Sequence, residues 1–252
     1  MRQNKSPIPL KKPTLVYSDF VQAKERILNR IAQGPFYGLL TGESGSGKTS
    51  LLREVSSSLD PARYQVHYLA QSCASRAGLG LFLVNRLHLS VHRTHSETLQ
   101  GMAQALRAYP LRMVLFVDEA HLLSSEALQE ARLLSESEID TPGLFTVLFA
   151  GLPELKAKLD QPSLFPLKRR LALRLELGGL KTDEVGPFLL FRLGEAHAAR
   201  LSPEAHSAIF ERARGIPALI EALATRCLED APQGAAISLE TILETLESWE
   251  IQ

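Results

Sequence analysis

Thiols are scarce in this chain. Cys73 and Cys227 are the two cysteines among 252 residues, far apart and without metal-ligand spacing. A disulfide scaffold and a cysteine-ligated zinc site are set aside, and a reduced, cytoplasmic setting is expected. Net charge is lacking too: Lys plus Arg and Asp plus Glu each number 28, so the formal charge is zero at pH 7. Composition therefore announces no general attraction to nucleic acid, and any such contact must come from a local patch. Long apolar runs are missing, so no membrane span is expected. The opening "MRQNKSPIPLKKPTL" is basic and proline-rich with no apolar segment. That excludes a signal peptide and predicts a flexible arm over residues 1–15. Repeats and low-complexity tracts are absent. What is present is apolar content, 45%. It suffices for the core of one large α/β domain with a small appendage.

The hydrophobic pattern alternates in kind along the chain. Phe20, Ala23, Ile27 and Ile31 recur at helical spacing behind Ser18 and Asp19, predicting a helix over about 20–31 that Gly34-Pro35 stops. "FYGLL" at 36–40 reads as a buried strand and "SLLREVSSSL" at 50–59 as a helix. A second strand is expected over 64–70, helices over 78–89 and 96–108, and a third strand over 112–120. Ser124 or Ser125 caps a helix to about 134; a strand over 144–151, a helix over 153–159 and a fifth strand over 172–177 follow. Strands alternating with helices predict a parallel sheet covered on both faces, an α/β/α three-layer core over 16–177. After Gly178-Gly179 only helical patterns remain, over 182–198, 203–214, 217–229 and 239–249. Pro203 and Pro217 stand near helix starts, where the missing N–H costs nothing. Residues 178–252 are therefore expected to form a small all-helical domain.

Gly42 to Thr49, "GESGSGKT", spells the phosphate-cradling loop between a strand and a helix. Gly42, Gly45 and Gly47 let backbone N–H groups turn inward, with Glu43, Ser44, Ser46 and Ser50 completing the cradle. Lys48 would reach the β- and γ-phosphates of ATP, and Thr49 would hold Mg²⁺ through its hydroxyl. One strand further on, "VLFVDEA" runs into Asp118, placed to bind Mg²⁺ or its water shell, and Glu119, placed to polarise an attacking water. A phosphoryl transferase has no need of a base aimed at water, so the pair favours hydrolysis.

With these motifs the chain resembles AAA+ ATPases of the ExeA/GspA type, including relatives of the TniB and MuB kind that serve transposases. The segments that carry the resemblance are "LLTGESGSGKTSLLREV", "VLFVDEAHLLSSEALQEARLLSESEID", "LFAGLPELKAKL", "LKRRLALRLELGGL" and "RGIPALIEALA". It implies a five-stranded parallel sheet, a helical C-terminal lid, and nucleotide bound between subunits of a homo-oligomeric ring or helical filament. It also implies an arginine finger in Lys168-Arg169-Arg170, with Arg170 the choice, and adenine packing near Tyr17.

Two positions depart from the family pattern. Relatives often read Gly-Gln-Pro-Glu-Leu after the fourth strand, whereas this chain has Leu152 between Gly151 and Pro153. The lid motif usually reads Gly-Ile-Pro-Arg, and here Ala218 takes the arginine's place. Losing two stabilisers of transition-state charge predicts intact ATP binding with slow hydrolysis. The resemblance then implies a regulator that assembles in its ATP state on double-stranded DNA and recruits a transposase. Arg76, Arg93 and Thr94 are candidate DNA contacts. A secretion-assembly ATPase of the ExeA type is the alternative. Its relatives carry a transmembrane segment, and none is seen here. A non-hydrolysing nucleotide switch is a third reading.

Overall fold

A computed structural model of the chain describes residues 17–70, 108–133, 145–231 and 236–248, with positions 97, 101 and 104–106. Among these, two compact units are distinguished. One holds Ala23–Gly42 and Lys48–Glu176; the other holds residues 17–22, Glu43–Gly47 and the chain from Leu177 on.

The first unit is built on a five-stranded parallel sheet flanked by helices. Its strands are β1 (Tyr37–Gly42), β2 (Tyr64–Leu69), β3 (Arg112–Val117), β4 (Thr146–Gly151) and β5 (Leu171–Leu177), in the spatial order β2-β3-β4-β1-β5. The middle of that order explains the sequence. β1 and β4 are buried at every position and β3 at all but Arg112, so each reads as an unbroken apolar run. β5 lies at an edge and alternates buried with exposed along "LALRLEL". Register pairs Leu40 with Ala150 and Leu115 with Val147. Helix α1 (Ser18–Gln33) precedes the sheet, and α2 (Lys48–Ser58) follows the phosphate loop and packs on β1 and β4. Helix α3 (Ser125–Leu133) starts at a serine cap: Ser124 Oγ accepts the Ala127 N–H at 3.2 Å. Phe116, Phe145 and Phe149 are among the largest fully buried side chains of the core.

Several elements differ from the pattern reading. β3 ends at Val117 rather than continuing to residue 120, because Glu119 takes a left-handed conformation (φ 52°, ψ 37°) that no strand tolerates. After α4 (Glu154–Leu159), a 3-10 turn over Pro162–Leu164 runs into a short helix α5 (Phe165–Arg169), neither expected from the sequence. Each has a proline in its first turn, the place where proline fits a helix. The expected helices over 78–89 and most of 96–108 lie outside the described residues, while positions 97, 101, 104–106 and 108 are helical.

The second unit is helical. A 3-10 turn over Thr182–Glu184 leads to α6 (Val185–Leu193), α7 (Glu195–Ala198), α8 (Pro203–Ala213), α9 (Pro217–Asp230) and α10 (Leu239–Ser248). One continuous helix was expected over 182–198. Gly194 interrupts it at φ 81°, ψ 163°, a conformation that glycine reaches without strain. Ser202 caps α8 by accepting the Ala205 N–H at 3.3 Å. The "LGGL" and "RGIP" segments meet. Leu180 N donates to Gly215 O at 2.8 Å, and a Cβ on Gly179 would lie 2.3 Å from that same oxygen. Both glycines have positive φ, so any side chain there would be strained as well as crowded. Within this unit Ser18 N also donates to Glu184 at 2.7 Å and Gly178 N to Asp19 at 3.2 Å. Cys227 is fully buried, which pushes its thiol up to about 11.

Candidate nucleotide site

The sequence motifs place their residues where two sheet strands end. Gly42 closes β1 and Lys48 opens α2. Lys48 is buried, and its ammonium donates to Gly42 O at 2.8 Å. Thr49 and Ser50 lie in the same first helical turn and are half-buried. Asp118 stands one residue past β3, 4% exposed, with its N–H on Leu69 O at 3.0 Å. It accepts three hydrogen bonds. Oδ2 takes the Thr49 hydroxyl at 2.7 Å and the Tyr68 hydroxyl at 2.6 Å, and Oδ1 takes the Glu119 N–H at 3.0 Å. Thr49 and Asp118, read from separate motifs, are thus in direct contact.

The left-handed turn at Glu119 sends the chain off the end of β3 into a 3-10 turn over Ala120–Leu122. The Glu119 side chain is 41% exposed, and Oε2 lies 3.4 Å from His121 Nδ1. The next polar neighbour is backbone: Leu152 N lies 3.4 Å from the same His121 nitrogen. Lys158 anchors this turn by donating to His121 O at 3.0 Å and to Leu123 O. Arg170 follows α5 as its C-cap, is exposed, and immediately precedes β5.

Residues 43–47 belong to the second unit. Glu43, Ser44 and Gly45 are exposed. Gly45 and Gly47 have φ of 80° and 98°, which turns successive amides in a way that L side chains resist. The Tyr17 hydroxyl donates to Ser46 O, and a Cβ on Gly47 would stand 3.2 Å from that hydroxyl. Burial, then the charges of Asp19 and Glu184, push the Tyr17 hydroxyl well above its ordinary pKa, so it stays a donor. Tyr17 therefore braces the loop. At the other side of the loop, Ala218 N donates to Gly45 O at 3.3 Å, and a Cβ on Gly45 would meet the Ala218 methyl at 2.6 Å.

Two residues escaped the sequence reading. Tyr68 is the penultimate residue of β2, and burial followed by its bond to Asp118 raises its pKa. The clue was the end of an alternating strand: a polar tip at the carboxyl end of a parallel strand falls where ligands bind. His121 lies just past the acidic pair, and its spacing carried no signal. Arg76, Arg93 and Thr94 lie outside the described residues.

The residues present fit a magnesium-nucleotide. Among the described residues, no cluster of three or more His, Cys, Asp or Glu side chains could hold a metal by itself. Thr49 and Asp118 offer one hydroxyl and one carboxylate, a hard-oxygen pair that suits an ion whose remaining positions go to water and phosphate. In the loop, Ser46 Oγ is buried with no hydrogen-bond partner among the described residues, a polar group still open to a ligand.

Residues 32–159 match the model of the AAA domain family. The match spans half of the chain, and together with the sheet order and the site it shows that the chain belongs to the AAA domain family and is an AAA+ ATPase by class. It is similar to the general secretion pathway protein A of Aeromonas hydrophila, 29% identical over 205 residues. That stretch covers 79% of this chain and 37% of that protein, so the chain spans little over a third of the relative's length. Among solved structures it resembles the Aeropyrum pernix ORC2 protein in its ADPNP-ADP complexes, at TM-score 0.62 and 17% identity over 100% of this chain and 72% of that one. It also resembles the Aeropyrum pernix ORC1 protein in complex with DNA, at TM-score 0.59 and 13% identity over 92% of this chain and 65% of that one. These likenesses carry the fold. Among the described residues, no helix is long and apolar enough to cross a membrane.

Proposed function

We propose that this chain binds ATP-Mg²⁺ at the phosphate loop, hydrolyses it slowly, and in the ATP state assembles with copies of itself on double-stranded DNA to regulate a transposase. The observation that carries the nucleotide part is the 2.7 Å contact of Thr49 with Asp118, with Glu119 next in the chain. Thr49 and Asp118 would hold Mg²⁺, which when bound would neutralise charge on the phosphate oxygens. Lys48 would exchange its bond to Gly42 O for the β- and γ-phosphates, and the amides of Gly42 to Ser50 would cradle them. Glu119, half in solvent at the mouth of the turn, would orient the attacking water. Leu152 supplies no polar side chain and Ala218 supplies a methyl, which supports slow turnover. Slow turnover suits an assembly switch, since ATP then acts through its differential affinity for two states.

Arg170 is exposed just before the edge strand β5, which supports its service to a neighbouring subunit's γ-phosphate. The DNA part is supported by the resemblance to TniB- and MuB-type relatives and by the ORC1 fold solved with DNA. Domain limits of 16–177 for the core and 178–252 for the lid, and a cytoplasmic setting, belong to the same proposal. Electron microscopy with duplex DNA tests it. Filaments or rings on DNA that require a non-hydrolysable ATP analogue are expected; bare DNA at low salt, where electrostatic contacts are strongest, defeats the DNA reading.

A second reading has its own support in the match to general secretion pathway protein A. There the same nucleotide site would drive assembly of secretion machinery. ATP-dependent oligomers that ignore DNA and associate with secretion components would favour it.

A further inference from the structure

We infer that His121 is a positioning residue for Glu119, and that through it the end of β4 is coupled to the water-activating carboxylate. The inference rests on the ATPase reading above. Its basis is that one nitrogen faces two partners it cannot serve at once. His121 Nδ1 lies 3.4 Å from Glu119 Oε2 and 3.4 Å from Leu152 N. A carboxylate oxygen only accepts and a backbone N–H only donates. With the proton on Nδ1, the ring donates to Glu119 and leaves the Leu152 N–H unserved. With the proton on Nε2, Nδ1 accepts from Leu152 and turns a lone pair toward Glu119, which releases the carboxylate.

The ring is held for this role. Its side chain is 12% exposed. A Cβ on Gly151 would stand 3.1 Å from His121 N and 3.2 Å from Nδ1, so a side chain at the end of β4 would press the imidazole out of its seat by a few tenths of an ångström. Lys158 fixes the backbone of the turn through His121 O and Leu123 O. The left-handed Glu119 aims the turn at β4 in the first place. The polar side chain missing at Leu152 is thus replaced by a backbone N–H and a neighbouring imidazole. A shift of the Leu152 amide toward or away from His121 selects the tautomer, and the tautomer decides whether Glu119 is tethered or free to orient water.

Steady-state ATP turnover of four variants of the full chain tests this. His121→Phe keeps a ring against Gly151 and removes the nitrogen; kcat is expected to change about tenfold or more while the KM for ATP stays within about twofold. His121→Asn returns a polar atom near the Nδ1 position and is expected to bring kcat to within about threefold of the parent. In a Glu119→Gln background, adding His121→Phe is expected to change nothing further. Should the phenyl variant fail to melt cooperatively, His121→Gln, whose polar atoms sit one bond too far, takes its place with the same expectation. Nitrogen-15 spectra of the ring give a readout independent of turnover: an Nδ1–H tautomer in the parent and an Nε2–H tautomer in Glu119→Ala. An unchanged kcat in His121→Phe, an equal change in the Phe and Asn variants, an additive double variant, or one tautomer in both proteins overturns the inference. A parent that turns over no ATP instead sinks the ATPase reading itself.

Discussion

Gly45→Ala should weaken the phosphate loop, and Ala218→Gly should restore part of what it loses. A side chain at φ 80° carries a backbone penalty of about 1–3 kcal/mol. The new methyl would also stand 2.6 Å from that of Ala218, an overlap of the kind that costs about 1–3 kcal/mol in a packed site. The two terms together predict a loss of about 2–6 kcal/mol. Only the second term involves Ala218. Removing the Ala218 methyl should therefore return about 1–3 kcal/mol in the Gly45→Ala background. Alone, Ala218→Gly puts glycine in the first turn of α9 and should cost about 1 kcal/mol or less. Urea titrations of the four proteins followed by circular dichroism, with fluorescent ADP affinity beside them, give the coupling energy. A coupling of at least about 1 kcal/mol is expected, whereas distant sites add within about 0.5 kcal/mol. Additive variants would refute the argument that Ala218 is packed on Gly45.

Three further outcomes follow from the same geometry. Lys48→Ala should lower nucleotide affinity about 100-fold or more, read by calorimetry, because the buried ammonium proposed to reach the phosphates is lost. Leu152→Gln and Ala218→Arg should each raise ATP turnover about tenfold or more over the parent, since each returns the polar residue of the family pattern; unchanged rates would refute the proposal that these two positions slow hydrolysis. His206 is partly buried with no partner for Nε2 among the described residues, and burial lowers its pKa below 6.5. The unfolded chain then takes up a proton that the folded chain declines, so stability should fall as pH drops through 6.5 and level off below the folded pKa; His206→Phe should flatten that slope in melting experiments.

The central strands were plain in the sequence because burial on both faces writes them as unbroken apolar runs, and the glycine loop marked where β1 ends. The edge strand β5 was readable for the opposite reason, its alternation. Local chemistry hid the remainder. No element was expected over "QPSLFPLKRR", yet its two prolines stand in the first turns of the short helical segments Pro162–Leu164 and Phe165–Arg169. The left-handed Glu119 carries no residue signature, so the shortened β3 and the return of His121 toward β4 could not be seen. Tyr68 reaches Asp118 only through strand pairing of β2 with β3, a contact between residues 50 positions apart. Thr49 and Asp118 were foreseen separately; their contact came from the sheet order.

ATP affinity and turnover of the parent and of Glu119→Gln, measured side by side in the presence of Mg²⁺, decide the role of the acidic pair. Removing the carboxylate's charge while keeping its shape should leave affinity within about twofold and reduce the parent rate, itself expected below about 1 s⁻¹, by about 100-fold. Equal turnover in the two proteins would contradict the claim that this loop holds ATP against a water-activating Glu119.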